Sequence, residues 1–148
     1  MSQIRRIAVA LGFAGLLPQM AAVAFALDRD RGTPLFALLY ALLILSFLGG
    51  IWWGFAMRRA DDPAQGRLAL VAVVPSLVAF AILIATILFG RIDRGLVASG
   101  IALLLTLPVD RALVRSGDAP AGWMRLRVPL SVGLGSLTIL AGWLVAGA

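Results

Sequence analysis

Residues 34–57 read PLFALLYALLILSFLGGIWWGFAM, and no charge interrupts them. As a helix rising 1.5 Å per residue this stretch is about 36 Å long, enough to cross the ~30 Å hydrocarbon layer of a bilayer. The same reading extends outward in both directions. Residues 7–27, 68–89 and 128–148 are each apolar over at least the ~20 residues a span requires. Lipid offers no partner for a bare amide, so these segments are expected to be helical.

A fourth segment, about residues 93–111, is less plain. Its uncharged part, residues 95–109, covers only about 22 Å of helix. It either spans, with Arg94 and Arg111 snorkelling from its ends, or re-enters. Arginine placement decides between these. With five spans, Arg5, Arg6, Arg58, Arg59, Arg67, Arg111, Arg115, Arg125 and Arg127 share one side, and Arg29, Arg31, Arg91 and Arg94 lie on the other. With four spans the split becomes five inside and eight outside, against the positive-inside rule. The expectation is therefore an all-α membrane protein in one domain over residues 1–148. It is a bundle of five transmembrane helices with a cytoplasmic N-terminus and the C-terminus outside. The first span is read as uncleaved, because its apolar run exceeds the usual h-region of a signal peptide.

Composition agrees. Hydrophobic residues make up 61% of the 148, charged ones 14%, and mean hydropathy is +1.01. So small a soluble domain could not bury that much apolar surface. The chain has no cysteine, histidine, lysine or glutamate. Thiolate metal sites, cysteine nucleophiles, imidazole bases, histidine-ligated haem and lysine Schiff bases are thereby excluded. No catalytic, metal or cofactor residues are assigned. The net charge of +6 sits as arginines between apolar runs, so it reads as a topology signal and nucleic acid is not expected as a partner.

The connectors are short. Asp28-Arg29-Asp30-Arg31-Gly32-Thr33-Pro34, Asp61-Asp62-Pro63 and Gly117-Asp118-Ala119-Pro120 carry turn chemistry. Trp123 suits an interface anchor. Asp93 and Asp110, beside Arg94 and Arg111 at the two ends of the fourth span, read as boundary ion pairs at opposite faces.

Within the second span, Tyr40, Leu43, Phe47, Gly50 and Gly54 recur at spacings of three and four and share a helical face. Gly50 and Gly54 form a GxxxG pair, which predicts a close helix–helix seam that leucine at either position would disrupt. The candidate packing or functional face comprises Tyr40, Ser46, Phe47, Gly49, Gly50, Trp53 and Gly54. The other reading is a lined cavity walled by Tyr40 and tryptophan. Trp52 and Trp53 point about 100° apart, so at least one should face lipid or the interface. Pro18 and Pro75 interrupt the first and third spans and are followed by Gln19 and Ser76. Membrane helices tolerate such prolines, and a functional reading would place these four residues on a cavity near the midplane. The texts around Pro18 and Pro75 are too weakly alike to count as a repeat. Arg111, Arg125 and Arg127 are candidates for contact with anionic headgroups.

The second-span text, Tyr40 with Ser46-Phe47-Leu48-Gly49-Gly50 and Trp53-Gly54, resembles the signature of an uncharacterised membrane family. This is the domain of unknown function 3429, which includes mitochondrial transmembrane protein 69. Gly15-Leu16-Leu17-Pro18, Val74-Pro75-Ser76-Leu77 and the segment from Trp123 to Ser131 resemble further blocks of that family, in order along nearly the whole chain. The sequence departs from the pattern at Trp52, where a His or Arg often stands. If that residue did chemistry elsewhere in the family, this chain would lack it. The resemblance implies a polytopic protein of a bacterial or mitochondrial inner membrane and no particular activity.

No charged residue falls mid-span, where proton relays and ion-coupled carriers normally need one. The functional expectation is a non-enzymatic integral protein of the bacterial inner membrane. It would be a scaffold, accessory subunit or assembly factor, with the lipid bilayer and other membrane-protein subunits as partners. The alternative is a small transporter or channel with its path near Pro18, Gln19, Pro75 and Ser76.

Overall fold

A computed structural model describes residues 3–26, 32–59 and 63–147. Among the described residues six helices follow one another: α1 (Gln3–Ala14), α2 (Leu17–Ala26), α3 (Thr33–Met57), α4 (Ala64–Phe89), α5 (Ile92–Arg115) and α6 (Trp123–Ala146). The four helices from α3 to α6 are long and apolar enough to cross a membrane, and a shorter apolar stretch runs from Val9 to Phe25. The structure is thus an all-helical bundle of membrane character. The charged connector at residues 28–31, the Asp61-Asp62 step and the side chains of Arg5 and Arg6 lie outside the described residues.

The first expected span is not one helix. It breaks at Gly15-Leu16, and α2 begins at Leu17. Pro18 therefore sits in the first turn of α2, where a missing N–H leaves no helical bond unmade. The Gly15 carbonyl instead accepts the Tyr40 hydroxyl of α3 at 2.5 Å. The doubtful fourth span is a continuous helix of 24 residues that carries Asp93 near its start and Asp110 and Arg111 near its end.

Backbone chemistry sets the other boundaries. Gly90, at φ 63°, closes α4 in the left-handed region that favours glycine. Gly117, at φ 80°, turns the chain after α5, and the amides of Asp118 and Ala119 both return to the Leu113 carbonyl.

Close backbone approach holds the bundle together. A Cβ built on Gly49 of α3 would stand 2.5 Å from the Ala72 carbonyl oxygen of α4 and 3.5 Å from Pro75. On α5 and α6, a Cβ on Gly100 would lie 2.6 Å from the Gly135 carbonyl oxygen, and one on Gly142 would lie 2.8 Å from that of Asp93. These are small-residue contacts of the kind that membrane helices use where water provides no drive to associate. Leu38, Leu45, Leu96, Leu103 and Leu134 fill the centre between α3, α5 and α6.

Of the glycines expected on a packing face, Gly49 packs within the chain and the Gly50–Gly54 pair does not. Among the described residues nothing lies within 4 Å of a Cβ on Gly50 or on Gly54, and both residues are exposed. Leu43 and Phe47, on the same face, are largely exposed as well. The packed face of α3 runs through Leu38, Ala41, Leu45, Leu48, Gly49, Trp52 and Ala56. Tyr40 and Ser46 are half-buried beside it. The two tryptophans diverge as expected, Trp52 buried and Trp53 exposed.

Candidate functional site

The polar centre of the molecule lies near the C-terminal end of α5. Leu96, Ser99, Leu103, Thr106, Asp110 and Leu113 form its buried face, with the spacings of three and four that keep residues on one side of a helix. Asp110 is therefore directed inward, while Arg111, a step of about 100° further round, is exposed. On α6 the equivalent face is Arg127, Ser131, Leu134, Gly135, Thr138, Ala141 and Gly142.

Asp110 is fully buried, and three hydrogen bonds reach its carboxylate. Oδ1 accepts the indole N–H of Trp52 from α3 at 3.0 Å and that of Trp123 from α6 at 3.0 Å. Oδ2 accepts Arg127 Nε at 2.8 Å. Arg127 Nη2 donates in turn to Thr106 Oγ1 at 3.1 Å, and Thr106 donates to the Leu103 carbonyl. The Arg127 guanidinium carbon lies 6.0 Å from the Trp123 ring centroid, and Phe55 meets that ring edge-on at 5.7 Å. One carboxylate thus joins three helices. Charge-assisted bonds of this kind are strong where the dielectric is low, and unpaired groups there are costly.

A smaller polar contact lies further along α6. Gln19 of α2 is fully buried and donates Nε2 to Thr138 Oγ1 at 3.0 Å, while Thr138 donates to the Leu134 carbonyl. The Gln19 Oε1 atom and the Ser131 hydroxyl are buried without a partner.

Several expectations change accordingly. Asp110 pairs with Arg127 and Asp93 with Arg91, so neither makes the boundary pair expected from its chain neighbour. Arg127 is buried in the ion pair and is not placed for headgroup contact, whereas Arg111 and Arg125 are exposed. Trp123 spends its N–H on Asp110 instead of the interface. Pro18, Gln19, Pro75 and Ser76 do not line one cavity. Pro18 and Ser76 are exposed, Gln19 is bonded to Thr138, and Pro75 packs toward Gly49.

The residues that sequence reasoning missed left a signal. Ser99, Thr106 and Asp110 on α5, and Arg127, Ser131 and Thr138 on α6, are polar groups placed on single helical faces. Two such stripes on neighbouring spans invite pairing.

Outside the span, Arg59 forms a two-pronged ion pair with Asp118 of the α5–α6 connector, and Ser116 adds a further bond to Asp118. The guanidinium holds the Asp118 carboxyl below the usual carboxylate range. This pair ties the end of α3 to the loop that delivers Trp123 and Arg127. Among the described residues no cluster of acidic side chains is placed to hold a metal ion.

The model of a family described as protein of unknown function (DUF3429) matches residues 4–143. No curated protein matches the chain, and no solved structure does.

Proposed function

Starting from the premise that the chain belongs to the DUF3429 family of unknown function, we propose that it is a non-enzymatic membrane protein acting through helix–helix contacts. It serves a larger membrane assembly as a scaffold, accessory subunit or assembly factor. Its setting is a bacterial inner membrane, with the nine-arginine side, the N-terminus included, in the cytoplasm and the C-terminus outside.

One observation carries this reading. α3 uses Gly49 to pack on α4 within the chain, but its Gly50–Gly54 ridge faces outward with nothing against it among the described residues. GxxxG spacing lets a second transmembrane backbone approach closely. The buried carboxylate points the same way, because its bonds to Trp52, Trp123 and Arg127 make it a fastener between helices. The transporter reading has less support, since its four residues are dispersed.

Native membranes solubilised in a mild detergent test the proposal. The wild-type chain should co-purify with defined subunits. Gly50→Leu and Gly54→Leu should lose them while keeping the wild-type melting temperature, because the added side chains meet nothing within the chain. A partner-free monomer from native membranes, or subunits retained by both variants, would overturn it.

A further inference from the structure

Three charged residues lie where α4 gives way to α5, and they do not cancel. Arg91 holds Asp93 through two bonds, at 2.9 and 2.7 Å. Arg94 is exposed, and among the described residues its guanidinium has no hydrogen-bond or ion-pair partner. Two arginines against one aspartate leave one net positive charge. It stands at the rim of an apolar run, since residues 95–109 carry no charge.

Two open grooves flank α5 below Arg94. One, of about 210 Å³, lies against α4 and is walled by Ile82, Ala85, Thr86 and Phe89. The other, of about 370 Å³, lies against α6 and is walled by Val97, Ile101, Gly142 and Trp143. Small residues at 85, 98 and 142 leave this space between helices whose other side chains are mostly large. Arg94 and Ala98 border both grooves, so they form the ridge that separates them.

We propose that this ridge binds one anionic diacyl phospholipid, with its phosphate on Arg94 and its two acyl chains in the grooves astride α5.

The match is one of charge, number and depth. A single uncompensated cation at the membrane rim attracts a phosphodiester that carries no cation of its own. A zwitterionic lipid already balances its phosphate and gains less. One charge serves two apolar tracks, and a diacyl lipid offers one phosphate and two chains. A transmembrane helix from another protein would lay one side-chain ridge into one groove and leave the second open. The depth also fits. The wall on α4 runs from Phe89 to Ile82 and that on α5 from Arg94 to Ile101, each about 10 Å at 1.5 Å per residue. One leaflet is about 15 Å of hydrocarbon, half of the ~30 Å core, so each groove guides roughly two-thirds of a chain's descent. Arg94 can extend its stem along the apolar wall and keep its guanidinium at phosphate level. Trp143, 71% exposed beside the second groove, stands at the same end of the bundle, where an indole suits the interface.

The test uses the full chain in detergent micelles doped with a phosphatidylglycerol that carries a diazirine on each acyl chain, or with a phosphatidylcholine bearing the same chains. Photolabelling of residues 82–89 and 97–101 should be about fivefold higher with the anionic probe. Leu77, 62% exposed on α4, reports ordinary lipid contact and should label equally with both. Arg94→Gln breaks no contact within the described residues and should make the two probes equal in both segments. Arg111→Gln, at the far end of α5, should leave the preference intact. Ile101 is 47% exposed, so Ile101→Trp can fill the groove on α6 while keeping the wild-type melting temperature. It should lower anionic labelling of residues 82–89 as well, because one lipid occupies both tracks. Equal labelling by the two probes in the wild type would overturn the proposal. So would a preference that survives in Arg94→Gln, or labelling of residues 82–89 that is unchanged in Ile101→Trp.

Discussion

Replacing Asp110 with asparagine tests the polar centre directly. Asparagine keeps an oxygen where Oδ1 accepts the Trp52 and Trp123 indoles, so those bonds at 3.0 Å can persist. It places an amide –NH2 where Oδ2 met Arg127 Nε at 2.8 Å, donor against donor. Arg127 then remains buried without its counter-charge. Breaking a buried pair from one side costs about 3–5 kcal/mol. For a chain of this size that corresponds to a fall in melting temperature of about 6–20 °C. Tryptophan emission is a suitable readout in a reversible denaturant titration or a thermal scan in detergent, because two of the four tryptophans touch the substituted group. The double variant Asp110→Leu/Arg127→Met removes both charges and should recover more than half of the loss, since apolar replacements of buried pairs are often tolerated. An Asp110→Asn protein within about 0.5 kcal/mol of wild type would refute the argument. Strictly additive losses in the double variant would do the same.

Gly49→Ala should destabilise the chain by about 1–3 kcal/mol, because its Cβ meets backbone, whereas Gly50→Ala should fall within about 0.5 kcal/mol of wild type. Equal effects in a melting assay would mean that the packed face of α3 is misassigned. Tyr40→Phe removes the bond to the Gly15 carbonyl and should cost about 1 kcal/mol, and hydrogen exchange should show faster opening at the α1–α2 break. The Asp118 carboxyl titrates lower in the folded protein than in the unfolded one, so its pairing with Arg59 contributes stability above its unfolded value of 3.8. That contribution is lost as pH falls through the depressed folded value. Stability measured from about pH 6 down to pH 2 should therefore separate wild type from Asp118→Asn at the upper end and bring the two together at the lower end.

Much of the fold could be read from hydropathy. The expected span at 34–57 is α3 to within one residue at its start, and the expected 93–111 span forms the middle of α5. What hydropathy did not reveal was phase. α3 is apolar around its whole circumference, so hydropathy alone does not distinguish Gly49 from Gly50 as the packed glycine. Only the Ala72 carbonyl and Pro75 ring of the neighbouring helix distinguish them. The position of Asp110 escaped for a related reason. Its chain neighbour Arg111 looked like its partner, yet residues next to each other in a helix point about 100° apart. Arg127, 17 residues away, is the side chain that faces it. The break in the first span falls at Ala14, the residue whose carbonyl Pro18 can neither bond nor accommodate, so it was legible from the proline; the bond from Tyr40 to the Gly15 carbonyl was not.

The fastening of Asp110 also orders events during synthesis. Trp52 is made before Asp110, but Trp123 and Arg127 are made after it. At 5–20 residues per second the ribosome needs about 1–3 s to travel from Asp110 to Arg127. During that interval α5 holds a carboxylate that lacks its cation, a poor solute for hydrocarbon. Nascent α5 is thus favoured to wait in a wet or protein-lined vestibule until α6 arrives, and the two enter lipid together as a hairpin. A chain truncated before residue 123 keeps the bond from Trp52 to that acid but lacks both Trp123 and the Arg127 cation.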